Sequence, residues 1–579
     1  MSEPPGAPAA DAPGSGAPAF GAVAPGVVRP VGDAAVLLAT AGPREAAGAA
    51  AALAELEVPG VLDAVAGLTS VLVTLEAQAD LEVVAGVLGR LEHHPPDVGR
   101  RPTIVIPTDF DGPDLGEAAA AVGLRAADFV SLLCRSVLEV AMVGFSPGFA
   151  YLSGLPHPLD RVPRRAVPRT AVPAGSVAVA GGFAGVYPQA TPGGWQLVGR
   201  SSVTLFDPEV PPYALLSPGD TVRFEALDPV DRVARPPEGR SAEGVSHPPT
   251  RPRLVVPAGL PVGFVVDQPG VFSTVQDAGR PGAAHFGVPA AGPADPLTHE
   301  LANRLVGNEA TAAAIEVTAR GPVLEWRTPG FVAVVGDAVV TLDGHEVATG
   351  RVIPVTAGQR LDVGRVRSGL RATVAVAGGV VVPAVLGSRA TDTLSWVGPG
   401  PLAAGDEVGI GPAPGAMGDH LGAGAPTSSP DTAGPRVLRV LAGPHPEWFP
   451  SDALAVLEGM RFVVEGASDR VGTRLRPAAG GRGVARLPGE LDSQAMVTGA
   501  VQVPPSGEAV ILGPDHAVIG GYPVLAVVIG ADLGVLGQCR PGDEVQLRAV
   551  SATEARAAHA RLRRAVAAAI VGHYPVVPG

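Results

Sequence analysis

The sequence predicts a mainly β protein, with β-barrel units in tandem and a small α+β portion at the N-terminal end. Three observations carry this. At 579 residues the chain is too long for one hydrophobic core, since cores stop growing near ~250–300 residues. From about residue 141 onward, short Val-rich runs are punctuated by Gly and Pro turns every several residues, the rhythm of sandwiches and barrels. One ending recurs as LSPGDTVRF (216–224), AAGDEVGIG (403–411) and RPGDEVQLR (540–548): a Gly-Asp turn feeding an alternating strand.

The elements follow in order. Residues 1–28 read as a disordered Ala/Pro/Gly tail, with no basic start or apolar core to make a signal peptide. Residues 29–98 form the small α+β domain. It has a strand at 34–40 (AAVLLAT), an Ala-rich helix at 44–57, a strand at 70–76 (SVLVTLE) and a second helix at 79–92. Residues 99–228 open with a strand (RPTIVIPTDF) and a helix start (GPDLGEAAAAVG) with acids near its positive end, then become a β-barrel. A Pro-rich linker spans 229–262. A second barrel at 263–410 contains one clear helix, DPLTHELANRLVG (295–307). A Pro/Gly/Ser-rich linker covers 411–435, a third barrel 436–549, and a closing surface helix and tail 550–579.

Composition narrows the function. The formal charge is −14 with no arginine-rich run, which argues against nucleic-acid binding. Apolar runs such as FVAVVGDAVV break within about ten residues, whereas a membrane helix needs ~20, so no membrane span is expected. Cys134 and Cys539 stand far apart and outside any CxxC context, which suggests a reducing compartment and a cytoplasmic location. There is no lysine at all, so every one of the 42 basic side chains is arginine. A Walker A loop, a pyridoxal-phosphate lysine, a biotinylated lysine and a Ser–Ser–Lys triad are therefore excluded from this chain. The twelve histidines show no HxH or HExxH spacing, so no metal site is expected.

Several loops concentrate candidate chemistry. VGFSPGFAYLSGLP (143–156) matches GxSxG. The residue after Ser146 is Pro147, which has no N–H to give an oxyanion hole, so a pocket wall built on Phe145, Phe149 and Tyr151 suits this loop better. Arg164, Arg165 and Arg169 sit on a Pro-flanked loop where a guanidinium could grip an anion, or simply be solvated. In PGGWQLVGR, Trp195 and Gln196 offer a stacking face beside an amide, with ordinary barrel core as the alternative. The segment 271–308 supplies Gln276, Asp277, Arg280, His285 and Asp295 in a Gly/Pro scaffold, with Asp295 equally placed to cap the helix after it. Gln502, Gly520, Gly521 and Tyr522 repeat the GG-turn-aromatic pattern of 181–187.

At these motifs the chain resembles a known family. GFSPGFAYLSGLP, PRRAVPRTAVPAGSVAVAGG, YPQATPGGWQLVGR and PGDTVRF look like the B subunit of bacterial ATP-dependent 5-oxoprolinase. TVQDAGRPGAAHFGVPAAGPADPLTHELANRLVGN, AVAGGVVVPAVLGSRATD, SDRVGTRL, GAVQVPP and GGYPVLAVV look like its C subunit. The resemblance covers about 30–228 and 263–549 and extends to urea carboxylases and allophanate-hydrolase subunits. It implies cyclophilin-like barrels, with carboxyltransferase subdomains A/B in the first half and C/D in the second. It also implies hydrolysis of 5-oxoproline to glutamate with ATP, with Mg2+, as co-substrate and a separate A subunit as partner. No biotin would be attached to this chain, and a homo-oligomer is allowed.

The chain departs from the pattern in two places. The segment before the GFSPGF loop, SLLCRS, lacks the family's histidine, and Ile519 stands for the threonine before GGYP. On the resemblance, Asp277 or His285 would move protons and Arg280 or Arg169 would bind an anion. Gln276, Gln502, Gly520, Gly521 and Tyr522 would contact substrate or nucleotide at one site, and Arg169, Trp195 and Gln196 at another. The other readings are a carboxyltransferase component of a biotin-dependent enzyme and a regulator that binds a histidine kinase.

Overall fold

The small N-terminal unit is a sheet buried on both faces, which explains its unbroken apolar strands. A computed structural model describes residues 24–76, 84, 86–89, 102–227, 254, 256–429, 434–572 and 574–575. Four antiparallel strands lie in the order Val28–Pro30, Ala35–Ala39, Ser70–Leu75, Val61–Ala66. Val36, Leu38, Val71 and Val73 pack on the helix Pro43–Leu56, whose Ala46 and Ala49 are small enough to seat it closely while Leu53 fills the space between. The opposite face, with Leu37, Val65 and Leu72, packs on Met496, Ile519 and Val527 of the C-terminal barrel. A strand covered on both sides has no reason to alternate. Most of the helix expected at 79–92 lies outside the described residues; Val84 and 86–89 are helical.

The next unit is a seven-stranded sheet from Ile104–Thr108 to Thr221–Ala226. Two helices, Leu115–Ala121 and Ala126–Arg135, accompany it, and the second was not expected from the sequence. The third unit is a ten-stranded sheet dominated by the long antiparallel pair Gly330–Leu342 and Arg360–Val376. The helix Pro296–Leu305 packs on both of those strands, burying Leu301, Ala302 and Leu305 against Ala333 and Ala375. The fourth is a closed seven-stranded barrel from Arg436–Ala442 to Glu544–Ala549. The fold is thus mainly β with barrel-like sheets and a small α+β unit, the class read from the sequence.

The repeated Gly-Asp ending has one physical cause. In each copy the aspartate carboxylate accepts the backbone N–H three residues earlier: Ser217 to Asp220 at 2.8 Å, Ala403 to Asp406 at 2.7 Å, and Arg540 to Asp543 at 2.9 Å. The glycine between them has φ of 89°, 85° and 93° respectively, the position that a type II turn reserves for glycine. In the first and third copies the strand that follows pairs parallel to the opening strand of its own unit. In the second it pairs antiparallel to Val262–Gln268.

The segment expected as a second linker, 411–435, is partly structured. Ala416–Met417 pairs with Tyr574–Pro575, and His420–Leu421 with Ile570–Val571. These strands hold down the chain after the helix Ala552–Ala567, which opens on a reciprocal Ser551–Glu554 capping box. The linker expected at 229–262 lies almost wholly outside the described residues, except Leu254 and 256–262.

Candidate active site at the junction of the two halves

Three of the sequence motifs, one from the first half and two from the second, meet at one junction. The GFSPGF loop presents Gly144, where a Cβ would run into Ile519 Cγ1 and stand 2.7 Å from Ile519 Cβ. Gly287, at φ 78°, lies so close that a Cβ there would sit 2.8 Å from the Ser146 carbonyl oxygen and 3.2 Å from Gly144 Cα. The Gly148 N–H donates to the Phe286 carbonyl at 2.8 Å. The loops around 144–149, 284–287 and 519–522 therefore form a single structure. Ile519 pairs with Ala495 and Gly520 with Gln494, and beside them the Leu68 N–H donates to the Ser493 carbonyl at 3.0 Å.

His285 is a titratable group that this junction exposes. Its Nδ1 lies 3.2 Å from Asp63 Oδ1, and a carboxylate only accepts, so Nδ1 carries a proton, and in the neutral ring Nε2 is the acceptor. Asp63 is buried in the strand Val61–Ala66 and also accepts from the N–H groups of Ala284 (2.7 Å), His285 (3.3 Å) and Ala64 (2.8 Å). The dyad borders a cavity of about 480 Å³ between the helix Pro43–Leu56, the strand Val61–Ala66 and the loop at 282–285. Asp63 escaped the sequence reading. Its signal is a lone acid inside an apolar strand, VLDAVA, where burial demands partners.

The other expected site residues are distributed differently. Gln276, Asp277 and Arg280 gather around the loop 385–397, apart from the cavity lining. Asp277 accepts from the Gly279 and Arg389 N–H groups and the Ser388 hydroxyl, so it ties loops together and is not a free base. Arg280 is buried and donates to the carbonyls of Val385, Ala390 and Val397. Burial holds its guanidinium below the ordinary arginine range, and its Nη1 lacks a hydrogen-bond partner, as does Gln276 Oε1. Arg169 grips Asp114 with both Nη atoms, at 2.7 and 2.8 Å, and Arg165 adds a third bond at 2.9 Å. Burial works against the Asp114 carboxylate, yet Arg169, the Leu197 N–H and Arg165 hold it below its usual range. Arg169 is therefore spent internally, where the sequence allowed an anion site.

Trp195 is likewise spent in the core. It lies edge-on to Phe149 at 5.6 Å and to Tyr151 at 5.6 Å, in a cluster where burial pushes the Tyr187 hydroxyl up to about 12. No stacking face is left free, and Gln196 is buried beside it with Oε1 unpartnered. Gln502 donates to Met496 Sδ at 3.3 Å and closes over Gly520, where a Cβ would lie 2.9 Å from Gln502 Nε2. Tyr522 is exposed next to Gly521. Ser146 Oγ is buried with no partner, so no base activates it. Asp295 caps the helix Pro296–Leu305, accepting from Thr298 N at 3.0 Å, Ser428 Oγ at 2.8 Å and Gln538 Nε2 at 2.7 Å.

A buried charged network, not anticipated, underlies the second half. Arg470 binds Asp515 through two bonds, at 2.8 and 2.9 Å, and also reaches Glu316. Burial alone would lower its pKa, but the two carboxylates hold it above the ordinary arginine value. Burial and the neighbouring Asp515 push the Asp392 carboxyl up to about 7. Under the N-terminal sheet, His445 Nδ1 accepts from the Val524 N–H at 3.0 Å, and its Nε2 faces the side-chain amide of Gln494. Burial lowers His445 to about 4. Among the described residues no cluster of acids, histidines and cysteines is suited to a metal ion, and no helix is long and apolar enough to cross a membrane.

Comparison with known proteins assigns the family. The profile for the carboxyltransferase domain, subdomain C and D, matches residues 27–216, and that for subdomain A and B matches 286–549. The chain is 35% identical to the 5-oxoprolinase C subunit of Escherichia coli K12 over 49% of its own length and 91% of that protein. It is 40% identical to the 5-oxoprolinase B subunit of Escherichia coli O157:H7 over 29% of its length and 79% of that protein. The chain belongs to the carboxyltransferase-domain family. A B-like half and a C-like half of this family are joined here in one chain. The subdomain lettering runs opposite to expectation, C/D first and A/B second; the motifs carried the kinship of each half but not its letter. The crystal structure of TTHA0988 superposes with a TM-score of 0.76 at 33% identity, covering 91% of this chain and all of that one. Urea amidolyase of Saccharomyces cerevisiae is 32% identical over 51% of this chain, which spans only 17% of that much longer protein.

Proposed function

We propose that this carboxyltransferase-family protein is the amide-binding component of an ATP-dependent hydrolase that opens a cyclic amide such as 5-oxoproline, working with a separate A subunit. The observation that carries this reading is the His285–Asp63 dyad at the cavity between the two halves; the names of the 5-oxoprolinase relatives of each half support it. A lactam carbon resists water until its oxygen is activated, and phosphoryl transfer to that oxygen needs cations around the transferring group. Among the described residues no arginine lines the cavity, and the chain has no lysine. A nucleotide therefore does not fit here, and we assign it to the partner. In this chain His285 Nε2 accepts a proton from water or the amide nitrogen, while Asp63 holds the ring in the tautomer that leaves Nε2 free.

The test mixes the full chain with an A subunit and follows ADP and glutamate released from 5-oxoproline. His285→Ala should lower the coupled rate by about 10²–10⁴-fold. Asp63→Asn should lower it less and shift its pH profile. Absence of ADP above the single-component controls overturns the proposal. The urea amidolyase likeness favours a second reading, carboxyl transfer from a biotin carried by another protein; biotin-dependent carboxylation of an amide, without ring opening, would select it.

A further inference from the structure

We infer that the mouth of the junction cavity is the docking face for the separate A subunit, which seats an apolar surface on Leu56, Leu62 and Leu215 and a cation opposite Glu57. The inference rests on the proposed amide-hydrolase reading and adds to it the place where the partner sits. Phosphoryl transfer needs donor and acceptor in line and in contact. A nucleotide held by the partner reaches a lactam in this cavity only through its opening, so the partner must cover that opening. Three features of the rim fit such a cover.

The first is exposed hydrocarbon. Leu56 is 57% exposed, Leu62 39% and Leu215 39%. A single exposed leucine is ordinary on a protein surface, whereas several around one opening mark an interaction site. Leu62 lines the cavity itself, Leu56 stands beside the lining residues Glu57 and Val58, and Leu215 comes just before the lining residues Ser217 and Pro218. The second feature explains the position of Leu62. Val61 pairs with Leu75 and Asp63 with Thr74, so Leu62 is an extra residue in the strand Val61–Ala66. A bulge of this kind re-aims side chains. Here Asp63 turns in to His285, and Leu62 is left at the surface.

The third feature is backbone strain. Glu57 ends the helix Pro43–Leu56 at φ 43° and ψ 50°, the left-handed position that helix ends usually fill with glycine. Strain retained at a cavity rim points to work for the side chain, and a carboxylate there calls for a cation on whatever covers it. The rim also continues an interface that the fold already builds. Ser217 and Pro218 of the first half and Gly282 and His285 of the second border the same cavity, so a partner seated there bridges both halves.

Titration of the full chain with an A subunit, read by calorimetry, tests this. Leu56→Glu and Leu62→Glu should each weaken binding at least about tenfold. Val271→Glu and Val456→Glu, at apolar positions that are exposed but outside the cavity lining, should leave it unchanged. Glu57→Gly should raise the melting temperature of the free chain, because glycine suits the left-handed turn, and yet weaken the A subunit's binding. Wild-type affinity in both leucine variants overturns the inference. So does equal weakening in the Val271 and Val456 variants, or no binding by the wild-type chain. If the leucine variants bind as wild type does while ADP and glutamate form from 5-oxoproline, this inference falls and the proposed function stands. If only the rim variants lose the A subunit but the wild-type pair releases no ADP from any lactam, the function falls and the docking face stands.

Discussion

Substituting Gly144 by alanine places a methyl group inside Ile519. The backbone at Gly144 is outside the left-handed region, so the cost is steric alone. Carbon atoms rest about 3.5–4.0 Å apart, whereas the new methyl would stand 2.7 Å from Ile519 Cβ and nearer still to Cγ1. These atoms lie next to the backbone of the strand Ile519–Gly520, so the two halves must separate by about 1 Å here. Overpacking of this kind costs about 1–3 kcal/mol. Ile519→Ala alone should cost about 2–5 kcal/mol, yet it removes Cγ1 and Cδ1 and leaves only Cβ against the methyl. The double variant should therefore be more stable than the sum of the singles by about 1–2 kcal/mol, within the span seen for touching residues. Native-state hydrogen exchange reads this directly at the Gly148 N–H, whose bond to Phe286 crosses between the halves. Coupling below about 0.5 kcal/mol would mean independent sites and would refute the junction.

Other consequences can be measured separately. Asp392→Asn should flatten the pH dependence of unfolding between about 4 and 7. The native carboxyl, raised to about 7, favours the folded state fully below the unfolded pKa and loses that advantage as pH rises through 7. His445→Gln acts with the opposite sign. Its depressed value, about 4, gives stability that is present above the unfolded histidine pKa and lost as pH falls toward 4, so the variant should resist acid better relative to its own stability at pH 7. Arg470→Met strands Asp515 without its cation and leaves Glu316 only the more distant Arg371, and should cost about 3–5 kcal/mol, read as a lower urea midpoint. Arg169→Ala should lower stability by about 1–3 kcal/mol by removing two of the bonds to the buried Asp114 carboxylate, with no change in lactam affinity by titration.

What the sequence made legible was local. The Asp295 cap, the Ser551–Glu554 box and the Gly-Asp turns all act within three residues, and each has a composition that names it. The missing N–H of Pro147 and the β-rich flanks argue against Ser146 as a nucleophile, and its hydroxyl has no hydrogen-bond partner. What stayed hidden was pairing at a distance. Arg169 looked free because Asp114 is 55 residues away, and His285 looked solitary because Asp63 is 222 residues away. Trp195 offered a stacking face until the folded sheet gathered Phe149, Tyr151, Phe183 and Tyr187 around it. Periodicity also misled in the other direction, because the N-terminal sheet is sandwiched and shows no alternation to read.

The contacts that clasp the N-terminal sheet to the C-terminal barrel include Arg29 to Glu447, Asp33 to the Gly530 N–H, and Thr69 to Asp492, none of which belongs to the segment joining the halves. The clasp is therefore blind to the order in which the halves are translated. A gene rearranged to encode 254–579 ahead of 24–227 should yield the same assembled body, and a protease cut in the joining segment should leave two fragments that elute as one.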